Sequence, residues 1–67
     1  MEYLEGHKVE GNYMGKAVTG VVRESRIRYS EMIHYVDLDE KIEVFGRIRD
    51  GVILKSSDVT KVVIEEV

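Results

Sequence analysis

Between residues 32 and 55 nearly every second side chain is apolar, and this two-residue period restricts the fold more than any other feature of the chain. Apolar residues at alternate positions, bounded by turn formers, are the pattern of half-buried antiparallel strands. The pattern predicts a three-strand meander: a strand over 32–38, a break at Asp39-Glu40-Lys41, a second strand over 42–48, a turn at Arg49-Asp50-Gly51, and a third strand over 52–55. Its inward set is His34, Val36, Leu38, Ile42, Val44, Gly46, Ile48, Val52 and Leu54. A two-residue turn at Asp50-Gly51 would set Arg47 against Leu54 and mix the faces. A three-residue loop with Gly51 left-handed sets Ile48 against Val52 and keeps them apart. The same register places Tyr35 opposite Phe45, Phe45 opposite Lys55, and Arg47 opposite both Ile33 and Ile53.

The remainder is read as what closes this sheet. Residues 1–14 hold two glycines and no sustained period. They read as an arm, mostly loop, with one short extended piece around residues 7–9. Tyr3, Leu4, Val9, Tyr13 and Met14 are numerous enough for part of the arm to cover an open end of the sheet; a loose leader is the alternative. From Gly15 onward Val18, Gly20 and Val22 share a face, and a glycine inside a strand pattern marks a close backbone approach. The inward parity then shifts to Ile27 and Tyr29, which requires a bulge, expected at Glu24-Ser25. Tyr29-Ser30-Glu31 turns the chain. Ser56, Ser57 and Asp58 favour one tight helical turn, because their side chains bond nearby amides. Val59 then plugs the core, a last strand runs over 60–64, and residues 65–67 are solvated.

A chain of 67 residues holds one domain at most, near the lower limit for a core that folds unaided. It has no cysteine, which removes disulfides and thiolate metal sites. Its two histidines, His7 and His34, lie far apart without companion ligands, so neither a structural metal nor a cofactor is expected. No apolar run approaches a membrane span and the amino terminus lacks a signal-peptide pattern, so a cytoplasmic setting without membrane contact is expected. The net charge of −3 argues against bulk electrostatic binding of nucleic acid. The charges are nevertheless segregated. Lys16, Arg23, Arg26 and Arg28 outnumber acids over 15–36, while Asp37, Asp39, Glu40 and Glu43 outnumber Lys41 over 37–46.

The order of pieces, five short strands with a long early loop and a one-turn helix before the last strand, resembles the small SH3-like β-barrels over residues 15–64. Within it, Gly15-Lys16-Ala17-Val18-Thr19-Gly20-Val21-Val22 resembles the core of a KOW motif: a glycine between valines, followed by an alternating strand, here residues 34–38. The chain departs from that pattern in lacking a basic surplus and a second glycine just before the first. The expected fold is therefore all-β, a five-stranded SH3-like barrel over 15–67 with a one-turn helix before the last strand, preceded by the arm 1–14. The resemblance implies a binding module that touches RNA, DNA, polymerase or ribosome in transcription or translation. Size and high charge content also resemble accessory proteins of phages or mobile elements.

Two constellations carry the functional expectation. On the outward face of the meander stand Ile33, Tyr35, Phe45 and Ile53, with Arg47 and Lys55 among them. Such a patch could stack bases and hold phosphates, or receive an apolar anchor from a protein. Coverage by the arm or by a second copy is the structural alternative. The second constellation is Arg23, Arg26 and Arg28, beside the early loop, where forked guanidinium groups suit phosphate or pair with Asp37, Asp39, Glu40 and Glu43. No nucleophile motif and no glycine-rich phosphate loop is present, so no enzyme is expected. The acids of the hairpin tip alternate in direction, unlike a calcium loop. His34 reads as a histidine at the barrel end. The leading expectation is a nucleic-acid-binding module using Arg23, Arg26, Arg28, Tyr35, Phe45, Arg47 and Lys55. The alternatives are a protein-interaction module docking through the aromatics or a sheet edge, and a homo-oligomer.

Overall fold

The computed structural model describes residues 3–63. These form an all-β structure of five strands: β1 (Lys8–Tyr13), β2 (Lys16–Arg28), β3 (Glu31–Val44), β4 (Arg47–Lys55) and β5 (Val59–Val63), with a 3-10 turn at Ser56–Asp58 before the last. They make one antiparallel sheet in the order β4-β3-β2-β1-β5, and the ladder does not close between the edge strands β4 and β5. The expected Ile64 at the end of the last strand, and the solvated 65–67, lie outside the described residues, as do residues 1 and 2 of the arm.

Alternation builds the core. Val9 of β1, Val18 and Val22 of β2, Val36 of β3, and Val52 and Leu54 of β4 are all buried on one face, with Leu4 over its end. Each such side chain contributes about 1.5–3 kcal/mol on leaving water. Val59, the expected plug, packs half-buried against this cluster. Gly20 has the role its place in the strand predicts: a Cβ there would overlap the carbonyl of Asp37 on β3. At Gly11 a Cβ would stand 2.7 Å from the Asp58 carbonyl oxygen and 2.9 Å from Leu54 Cδ1. The sheet therefore rolls until β1 touches the end of β4 and the 3-10 turn, without pairing to either.

The expected arm holds more regular structure than one short piece. β1 lies within it and pairs with β2 on one side and β5 on the other. Ahead of β1, the Leu4 carbonyl accepts from His7 N–H at 2.9 Å, Gly6 has a left-handed φ of 82°, and Gly6 and His7 extend the pairing to Val22. Among the described residues there is no long early loop. β1–β2, β2–β3 and β3–β4 are joined at Met14-Gly15, Tyr29-Ser30 and Phe45-Gly46, each pair left-handed at both positions. That is the type I′ geometry whose twist matches the flanking strands.

The meander is corrected to a single long hairpin. Asp39-Glu40-Lys41 does not break the chain and Arg49-Asp50-Gly51 does not turn it; both lie inside strands, and Phe45-Gly46 turns instead. The physical reason is that Gly46 supplies a left-handed position at no steric cost, beside strand residues able to pair directly across it. The hairpin has two ladders out of step. Ile33 to Asp37 pair with Lys55 to Gly51, Ile42 to Val44 pair with Arg49 to Arg47, and residues 38–41 face only Asp50. Tyr35 is thus opposite Ile53, Ile33 opposite Lys55, Arg47 opposite Val44, and Phe45 sits at the tip opposite no strand residue. Ile48, expected inward, is 72% exposed. The β2 bulge falls at Arg23, between Val22 and Glu24, ahead of the expected Glu24-Ser25. Tyr29 is likewise not inward; as a turn residue it is 91% exposed.

Candidate functional site

The shifted register divides the expected site among three places. Arg23, Arg26, Tyr35 and Lys55 come together on the outer face of β2–β3–β4, where cross-strand rows run Arg26–Ile33–Lys55 and Glu24–Tyr35–Ile53. Phe45 and Arg47 sit away from them at the β3–β4 tip. Arg28 ends β2, its guanidinium 5.7 Å from the centroid of the exposed Tyr29 ring. That stacking engages the cation with its own neighbour.

Beside Tyr35 and Ile53 an open cleft of about 370 Å³ is also bordered by Tyr13, Arg49 and Gly51, with Arg23 and Asp37 at its rim. Arg23 owes its position to the bulge, which turns the extra residue outward. There it makes a forked contact with Asp37: Nε donates to Oδ2 at 3.0 Å and Nη2 lies 2.7 Å from Oδ1. Arg26 Nε donates to Glu24 Oε1 at 2.7 Å, which holds the guanidinium pKa above its ordinary value. Lys55 Nζ lies 3.8 Å from Glu31. Arg23, Arg26 and Lys55 therefore each have a carboxylate beside them, while Arg49 at the border of the cleft has none among the described residues. These are exposed pairs of small energetic weight, but they cancel the potential that the arginine spacing promised. The Arg23–Asp37 pair joins the basic stretch 15–36 to the acidic stretch 37–46, and Lys8 Nζ lies 2.9 Å from Asp39 of the same acidic stretch.

A second arrangement lies beneath the face. Sequence reasoning missed it, because its members come from four separate segments. Leu4 N–H donates to Ser25 Oγ at 2.9 Å, leaving the Ser25 hydroxyl proton for His34 Nδ1 at 2.7 Å. His34 Nε2–H then donates to Ser56 Oγ at 3.3 Å, and that hydroxyl donates to the Met32 carbonyl at 3.4 Å. The order of donors assigns a neutral, Nε2-protonated ring. Burial depresses the His34 pKa, opposed in part by Glu5, whose carboxylate accepts from Ser25 N–H at 3.0 Å. Ser25 and His34 have the spacing of a nucleophile and its base, but both are enclosed, with the Ser25 hydroxyl held between Leu4 N–H and His34 Nδ1. Their role in the fold is to tie the segment before β1 to β2, β3 and the 3-10 turn.

The tip of the β3–β4 hairpin leaves the sheet. Pairing between β2 and β3 stops at Gly20 and Leu38, and a cavity of about 320 Å³ opens between Ala17–Thr19 and Asp39–Ile42. Lys16 Nζ bridges the gap by donating to the Glu43 carbonyl. The resulting ribbon, 42–49, carries Phe45 at 86% exposure, together with Arg47 and Arg49. Neither arginine forms an ion pair among the described residues. Arg49 went unnoticed as a site residue because the expected turn contained it; the glycine after Phe45 was the signal that would have freed it.

Among the described residues no group of three or more His, Cys, Asp or Glu is placed to hold a metal ion, and no helix is long and apolar enough to cross a membrane. No family model, curated protein or solved structure matches this chain.

Proposed function

We propose that this chain is a non-enzymatic protein-interaction module, an SH3-like barrel left open along one side, which docks a partner on the outer face around Tyr35 and Ile53. The strand order and the 3-10 turn before the last strand support the SH3-like reading. One observation carries the functional reading. Three cations of that face, Arg23, Arg26 and Lys55, are each matched by a carboxylate, while Ile53 stays 50% exposed beside a cleft. Nucleic-acid binding draws its affinity from uncompensated positive charge. A patch of paired charges around an aromatic and an aliphatic side chain suits the polar rim and apolar centre of a protein interface.

The test places a photo-reactive side chain at position 53 and asks whether it yields a discrete protein adduct in cells. Tyr35→Ser, which leaves the buried face untouched, should abolish the adduct. Persistence of the adduct in that variant would count against docking at this face.

The alternative, a nucleic-acid module in a transcription or translation setting, is favoured by one specific observation, the exposed Phe45 flanked by Arg47 and Arg49. An aromatic tip between cations can stack a base while holding phosphates. Titration with short RNA and DNA separates the two readings. The protein reading expects no saturable binding at about 50 mM salt, whereas a protein with several phosphate contacts binds orders of magnitude tighter there than at about 200 mM.

A further inference from the structure

β4 is an edge strand of nine residues without proline, and its register shift against β3 is taken up by extra residues on the β3 side. Folded proteins protect such edges by shortening, bulging or covering them, because a free row of N–H and C=O groups templates another strand. At its carboxyl end Leu54 abuts β1 near Gly11, so the free stretch is 47–53. Strand alternation puts Arg47, Arg49, Gly51 and Ile53 in one row. On β3 the residues opposite Arg47 and Arg49 are Val44 and Ile42, and neither arginine has an ion-pair partner among the described residues, in contrast to Arg23, Arg26 and Lys55.

A second copy of the chain is a poor occupant. The two-fold antiparallel registers that use most of β4 are centred on Asp50, Gly51 or Val52. They set Asp50 against Asp50, Arg47 against Lys55, or Arg49 against Lys55. Like charges directly opposite are destabilising. An acidic strand meets no such conflict.

We infer that the free edge of β4 accepts an extended acidic peptide as an antiparallel sixth strand, with carboxylates opposite Arg49 and Arg47 and an apolar residue opposite Ile53. Read from its amino end, the segment is apolar, then small, then acidic, then acidic at every second position, the small residue passing Gly51. Main-chain pairing supplies the affinity and the alternate side chains supply the selectivity. The inference shares with the preceding proposal the class of partner and the side chain of Ile53; it differs in using main-chain pairing along the edge of the sheet, with no part for Tyr35.

The probe is a capped nine-residue peptide of alternating threonines carrying valine, alanine and two glutamates at those four positions. It is titrated into the isotope-labelled full chain at low salt and followed by amide shifts and hydrogen exchange. The expected result is saturable change and slowed exchange confined to residues 47–53. The Arg47→Glu/Arg49→Glu variant should bind about tenfold more weakly, and a lysine-for-glutamate peptide should recover binding to that variant while failing on the natural chain. Both arginines are exposed, and an unchanged spectrum elsewhere shows that the variant folds. Equal binding of the two peptides, or binding of a peptide N-methylated along its pairing edge, would overturn the inference. So would a single-stranded oligonucleotide that displaces the peptide and shifts Phe45, which would give the ribbon to nucleic acid instead. Tyr35→Ser should leave peptide binding unchanged, so failure at the edge and failure at the outer face are told apart.

Discussion

The two halves of the β3–β4 hairpin share one alternating pattern and obey different constraints. In the half nearest the core, His34 faces Leu54 and Val36 faces Val52, and all four are buried. A slip of one residue there would send every one of them into water, so burial sets the register. In the ribbon beyond, Glu43 faces Ile48 and Val44 faces Arg47, and no residue is fully buried. There the register follows from the turn at Phe45-Gly46. The two requirements disagree, and the excess chain collects at 38–41 as a bulge. Alternation alone shows that a strand exists; burial or turn chemistry decides what it pairs with.

The contrast can be broken most strongly at Leu54. Leu54→Ala removes a side chain that is 1% exposed and should cost about 2–5 kcal/mol in chemical denaturation. The same truncation at Ile48, on the ribbon, belongs at the other end of the scale.

An intermediate effect comes from pH. Burial depresses the His34 pKa below its ordinary 6.5. The unfolded chain therefore takes up the proton first, and stability is complete above about pH 6.5 and falls as the pH drops below it. The slope is at most about 1.4 kcal/mol per pH unit and levels off once the folded ring is protonated. Urea midpoints between about pH 7 and 5.5 should show this decline, and His34→Gln should flatten it. At the ribbon, hydrogen exchange should change little over the same range, because the histidine ties down only the core half.

Phe45→Asn sharpens the comparison in the opposite direction. A bulky residue with φ of 51° occupies a region that costs L-residues about 1–2 kcal/mol and that asparagine tolerates. The substitution should stabilise the chain by about 1 kcal/mol in thermal or chemical denaturation. A neutral or destabilising result would mean that Phe45 contributes packing its exposure does not suggest. The smallest effect is expected for Ile48→Ala, within about 0.5 kcal/mol of the parent. Met14 and Tyr29 stand, like Phe45, exposed at the first left-handed position of their turns.

What could be read beforehand follows the same division. The strand parity of His34, Val36, Val52 and Leu54, the close approach at Gly20, and the single helical turn before the last strand were legible because each is fixed by burial or local chemistry. β1 was not, because Gly6, Gly11 and Asn12 interrupt the apolar pattern; the structure needs Gly11 bare where β1 passes Leu54 and Asp58. The turn at Phe45-Gly46 was hidden by an aromatic in a position usually held by asparagine, aspartate or glycine. Of the site, the outward direction of Tyr35 and Lys55 followed from parity. Pairing of the arginine cluster with Asp37, Asp39, Glu40 or Glu43 was one reading of the sequence, but that Arg23 takes Asp37 depends on a bulge displaced to Arg23 itself.

Cross-strand contacts by NMR in the ribbon test the hairpin geometry on which both the outer face and the free edge depend. Two ladders out of step require proximities between Ile42 and Arg49 and between Val44 and Arg47, together with Tyr35 against Ile53. Proximity of Ile48 to Val52, with Phe45 beside Tyr35, would instead give a three-strand meander, and the free edge bearing Arg47 and Arg49 would not exist.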